Sequence, residues 1–116
     1  MIVDVHTHLP SHQDTVPPED MVTETAMRSG ETVQLTNSIA DYLRDMEAVD
    51  KAFIFGIAPR PWLPEKSVLL AGGWPEGKNH NDVASETAKH APDKITPFMS
   101  LHPLDPNVND EYDRCV

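Results

Sequence analysis

The chain has 116 residues, the usual size of one domain, and its nineteen acidic against nine basic residues leave a formal net charge of −10. That charge repels phosphate backbones and anionic lipid, so nucleic acid and acidic membranes are disfavoured as partners. The one cysteine, Cys115, excludes an internal disulfide, and no apolar stretch approaches the roughly 18 residues of a membrane span, so a soluble, unprocessed chain in a reducing cytoplasm is expected.

The first element is a strand. In "MIVDVHTHLP", strict alternation puts Ile2, Asp4, His6 and His8 on one face and Val3, Val5 and Thr7 on the other. From Leu9 to Thr36 the chain carries Pro10, Pro17, Pro18 and Gly30 among polar residues, which reads as a functional loop with a short helix from Pro18 to Arg28 that Gly30 stops.

A clearer helix follows. Ile39, Leu43, Met46 and Val49 recur at helical spacing behind the cap candidates Asn37 and Ser38. "KAFIFGIA", residues 51 to 58, is a continuous apolar run with β-branched and aromatic content, the pattern of a strand covered on both faces. A second long loop, rich in proline and glycine, contains Trp62 and Trp74. The second helix runs from Asn81 to Ala91, with Asn79 or Asn81 as its cap and Pro92 closing it.

"KITPFMSLHP" is the third strand, with Pro97 at its start because proline cannot donate to a ladder. Asp105 and Pro106 read as the N-cap and first position of a further helix. The order is β, loop, α, β, loop, α, β and the opening of an α, which predicts an α/β fold with a parallel sheet.

The chemistry concentrates in His6 and His8. An HxH pair on a strand aims both imidazoles to one side, and neutral imidazole is a good ligand for zinc and its neighbours. Asp4 either accepts a hydrogen bond from a ligand ring and orients it, or is an inward polar group paired with a neighbouring strand.

"MIVDVHTHLP" resembles the first strand of the amidohydrolase superfamily, metal-dependent enzymes on a (β/α)8 barrel. "NHNDVASETAKHAPDKITPFMSLHPLDP", residues 79 to 106, is similar to the second helix and third strand of the amidohydrolase-2 group. The resemblance implies that the chain is the N-terminal portion of one TIM-barrel domain, about the first three βα units, since such barrels run to about 250 residues. It implies that His6 and His8 are the first pair of ligands to a divalent metal, usually zinc. The group's later ligands, a histidine after strand five and an aspartate after strand eight, have no counterpart here.

The activity implied is metal-dependent hydrolysis or decarboxylation of a small, carboxylated molecule, with the 116-residue chain itself expected to bind zinc weakly and to turn over nothing. Three residues are candidate substrate contacts. His102 ends the third strand; Trp62 offers an apolar wall; Arg60 can pair bidentately with a carboxylate. Each also has a plainer reading, as a loop histidine with a backbone partner, loop packing and a solvated arginine.

Two alternatives stay open. TatD-type deoxyribonucleases and PHP phosphoesterases also begin with a strand ending in HxH, although the net charge disfavours a nucleic-acid substrate and the serine-aspartate-glycine word expected after the PHP histidines is absent. The other is a non-catalytic barrel piece that forms a homo-oligomer through its uncovered sheet.

Overall fold

A computed structural model of the protein describes residues 1–10, 24–26, 29–34, 38–58, 60–62 and 77–116. Its elements in chain order are β1 (Val3–His8), β2 (Glu24–Ala26), β3 (Thr32–Gln34), α1 (Ile39–Asp45), β4 (Lys51–Phe55), α2 (His80–Lys89), β5 (Ile95–Pro97) and α3 (Val108–Cys115). The apolar run from residue 51 becomes the central strand β4, hydrogen-bonded in parallel to β1 on one side and β5 on the other.

Strand order in this sheet follows chain order without a reversal. Two right-handed crossovers in the same direction place their helices on the same face. Accordingly Ile39 and Tyr42 of α1 and Val83, Ala84 and Ala88 of α2 form one core with Ile54, Ile95 and Leu9. Ile54 and Val83 are wholly shielded from solvent. The opposite face of the sheet has no helix on it among the described residues.

Both helices are capped as their sequences predict. Ser38 and Asp41 form a reciprocal capping box on α1, and Asn79 and Asp82 form one on α2. Each such cap contributes about 1 kcal/mol. Because Asn79 takes the cap of α2, Asn81 is released for other contacts.

Several expectations are corrected. The described residues do not form the partial (β/α)8 barrel expected: their parallel sheet is open, with three strands, and β2 with β3 makes a separate two-stranded antiparallel sheet. Closing a barrel of this kind requires eight strands with a continuous stagger, and three parallel strands supply neither. The described residues form a small mixed α/β structure with three helices. Residues 24–26 form a strand instead of continuing a helix from Pro18, and Gly30 serves the turn to β3 with a φ of 81°, in the left-handed region that favours glycine. The remainder of that expected helix lies outside the described residues.

Pro97 ends β5 instead of starting it, tolerated because β5 is an edge strand. The last helix begins two residues later than expected: Asn107 is its N-cap position, while the Asp105 carboxylate accepts from the Asn107 backbone N–H at 2.8 Å. No helix among the described residues is long and apolar enough to cross a membrane.

Candidate functional site at the C-terminal edge of the parallel sheet

β1 departs from strict alternation. Its register on β4 pairs Asp4 with Ala52 and Thr7 with Ile54, so three residues of β1 span two of β4, an irregularity of the bulge type. Asp4 and Thr7 therefore both align with the helix-covered side. The Asp4 carboxylate accepts from the backbone N–H of His6 at 3.0 Å, a local turn-like bond that stabilises the irregularity and engages neither imidazole. Asp4 thus does not share the histidine face, as unbroken alternation had required.

Thr7 is buried, and its neighbours His6 and His8 are exposed on the opposite side. Their ring centroids lie 5.2 Å apart at an interplanar angle of 76°. Phe55, the last residue of β4, stands against both, with its ring 4.8 Å from that of His6 and 6.2 Å from that of His8. The site is thus two imidazoles on one strand end, backed by an aromatic ring from the next strand.

The centroid separation is of the size that a shared ion would give. A Zn–N bond of about 2.1 Å puts each ring centroid about 3.2 Å from the metal, and a tetrahedral angle then separates the centroids by about 5.2 Å. Imidazole nitrogen is the right donor for zinc and similar ions. Among the described residues, no group of three or more His, Cys, Asp or Glu side chains converges on one point, so the pair would offer at most two ligands, short of the three of a usual catalytic zinc.

The other candidates follow the same edge. Arg60 and Trp62 lie in the segment after β4, both exposed, and Arg60 makes no ion pair among the described residues. His102 follows β5 and packs its ring edge-to-face with Trp62 at 5.2 Å. The His102 Nδ1 accepts from the Leu104 backbone N–H at 3.2 Å, which leaves the proton of the neutral ring on Nε2. Trp62 and His102 are therefore brought together, and His6 and His8 are brought together with Phe55. Trp74 lies outside the described residues.

The sequence pattern does not single out Phe55 or His80. Phe55 could have been found from its position at the end of the buried run, where strand ends carry function. His80 is nearly buried, and its Nε2–H donates to the Ser100 carbonyl at 2.7 Å. Its Cβ packs against Gly56 so closely that a Cβ there would lie 2.5 Å from it. Nothing in its sequence context signals that contact.

A polar network borders this edge. Glu111 of α3 accepts from Asn79 Nδ2 at 2.9 Å, Asn81 Nδ2 at 2.7 Å and Arg114 Nη2 at 2.7 Å. The Arg114 guanidinium and these amides hold the Glu111 carboxyl down at about 2, against the opposing effect of burial. Burial pushes the Asp82 carboxyl up, but the Asn79 backbone N–H and Arg114 outweigh it, and the net shift is downward. Arg114 donates to Asp82 at 2.6 Å.

No family model, curated protein or solved structure matches the chain.

Proposed function

We propose that the chain is a metal-dependent hydrolase or decarboxylase akin to the amidohydrolase-2 group, acting on a small carboxylated molecule, with His6 and His8 as ligands of a divalent ion, zinc in the first instance. The observation that supports this reading is the 5.2 Å separation of the two rings at the C-terminal end of a parallel strand. Parallel α/β enzymes build their sites at the carboxyl ends of the strands. When bound there, zinc would lower the pKa of a coordinated water to about 7 or polarise a substrate oxygen.

The chain's own residues then divide the work. Phe55 restricts both imidazoles and keeps water from one side of them. Arg60 receives the substrate carboxylate bidentately, Trp62 covers its apolar part, and His102 offers an Nε2 proton to a developing negative charge. Two protein ligands hold zinc less firmly than three, so weak binding and little or no turnover are expected of the 116-residue chain. The lone cysteine and acidic surface fit a cytoplasmic enzyme with neither nucleic acid nor membrane as a partner.

Calorimetric titration with Zn²⁺, repeated with Co²⁺ followed by its visible absorption, tests the ligand pair. Binding at one ion per chain is expected, falling below detection in His6→Ala and His8→Ala. Undiminished binding by the doubly substituted chain, or none by the parent, rejects the assignment.

A second reading is favoured by the open face and edges of the sheet, where Val3, Val5 and Phe98 are exposed. It takes the chain as a non-catalytic homo-oligomer. Size-exclusion chromatography with and without zinc separates the two, because this reading requires a discrete oligomer indifferent to metal.

A further inference from the structure

α3 contributes no buried residue, so polar bonds and not apolar packing hold it in place. Those bonds run to Asn79, Asn81 and Asp82 at the start of α2, and of these three Asn81 also reaches the loop after β5. This side chain is only 7% exposed, and its Nδ2 donates both to Glu111 of α3 at 2.7 Å and to the Ser100 carbonyl at 3.2 Å. Its Oδ1 accepts from the Ser100 backbone N–H at 2.9 Å. One carboxamide thus grips both backbone groups of Ser100 while holding the carboxylate that docks α3.

Ser100 lies two residues before His102, and the segment between them leads directly to the edge-to-face contact with Trp62. Beyond His102, the Asp105 backbone N–H donates to its carbonyl at 3.0 Å, and the Val108 N–H donates in turn to the Asp105 carbonyl at 3.1 Å, at the first residue of α3. The loop after β5 is therefore tethered at both ends to the same helix, through Asn81 on one side and by direct backbone continuity on the other. Alongside it runs a cleft of about 220 Å³ lined by Asn81, Asp82, Pro97, Phe98, Met99 and Arg114, which gives the loop room to shift if the tether loosens.

We propose that Asn81 is a positioning residue that couples the docking of α3, through Glu111, to the placement of His102 against Trp62. Glu111 fits this role because a carboxylate accepts several bonds at once, and charge-assisted bonds are roughly twice as strong as neutral ones. Asn81 fits because an amide alone offers two donors and an acceptor in one plane, matching a carbonyl, an amide N–H and a carboxylate together. A leucine of similar volume would fill the space and break all three bonds. The inference concerns the loop and needs no metal, so it can fail or stand independently of the histidine pair.

The chain holds two tryptophans, so in a Trp74→Phe background the emission of Trp62 is read alone. His102→Ala in that background defines the signal of the indole without its imidazole neighbour. Asn81→Leu and Glu111→Gln are each expected to produce at least about half of that emission change, and neither is expected to add to it when combined with His102→Ala, the signature of residues acting on one contact. Tyr42→Phe, which weakens the core elsewhere, is expected to leave the emission unaltered, so that a general loss of stability is distinguished from the local effect. Glu111→Gln, an isosteric change on α3, keeps the question answerable if Asn81→Leu does not fold. Parent-like emission in Glu111→Gln, with His102→Ala clearly different, overturns the coupling. So does an emission that His102→Ala does not change.

Discussion

The hydroxyls of Thr7 and Tyr42 lie 2.9 Å apart on the helix-covered side of the sheet, and this contact sets the direction in which the histidines of β1 point. Thr7 uses its single proton on the Phe53 carbonyl at 2.8 Å, so Tyr42 is the donor between the two hydroxyls. Burial pushes the Tyr42 phenol up, which keeps it protonated for that purpose. With Thr7 anchored inward, the two-residue period of a strand turns His6 and His8 outward on either side of it.

Thr7→Val is accordingly expected to destabilise the chain by about 1–3 kcal/mol, because it leaves the buried Tyr42 hydroxyl and the Phe53 carbonyl without their partner. Tyr42→Phe removes one donor alone and is expected to cost about 1 kcal/mol. Urea denaturation of the three proteins checks the order; a Thr7→Val midpoint equal to that of the parent contradicts it.

Phe55 is half-buried and stands against both imidazoles. Phe55→Ala is expected to preserve the fold, since the core lies on the other side of β4, and to weaken zinc binding by about tenfold through loss of the restraint on the rings, as removal of an outer-sphere contact to metal ligands does. Titration calorimetry alongside far-ultraviolet circular dichroism measures both effects.

Gly56 is required by the approach of α2. A methyl group at this position would sit 2.5 Å from His80 Cβ and 2.8 Å from Leu9 Cδ1. The first of these atoms is fixed to the helix backbone and cannot swing aside. Gly56→Ala is expected to lower stability by about 1–3 kcal/mol, the usual cost of overpacking. A thermal midpoint unchanged or raised would show that α2 can shift outward freely.

Acid is expected to weaken the docking of α3. The Glu111 carboxyl sits at about 2 in the folded chain and near its ordinary 4.5 when unfolded. A depressed carboxyl contributes stability that is fully present above the unfolded value and lost as the pH falls through the folded one. The loss therefore falls between about pH 4.5 and 2, and with Arg114 half-exposed to solvent it is expected to amount to about 1–2 kcal/mol. Urea midpoints measured across that range are expected to fall in the parent and to fall less in Glu111→Gln. Parallel curves for the two proteins would remove Glu111 from the account.

Much of the local structure is legible in the sequence because it rests on short-range rules. Ser38 and Asn79 cap the helices that follow them, and the apolar run from residue 51 becomes the central strand. The parallel pairing follows from strands separated by helices. The role of Tyr42 is not legible because its hydroxyl partner lies 35 residues away, and no spacing within the helix announces a partner on another strand. Alternation alone misplaces Asp4 because the register shift that turns it aside arises only when β1 meets β4. Asn81 is a cap candidate by position, and its three side-chain bonds exist only once Ser100 and Glu111 arrive.

Sequence alone determined the composition of the sheet, the caps of its helices and the presence of two imidazoles at one strand end, because each depends on residues within a few positions of one another. Tertiary structure decided which side chains meet. It left the sheet open, turned Asp4 to the helix side, stood Phe55 against the histidine pair, and joined His102 to Trp62 across a gap of 40 residues. Contacts of that range form only when packed strands and helices fix their separations in space, and local pattern carries no record of those separations.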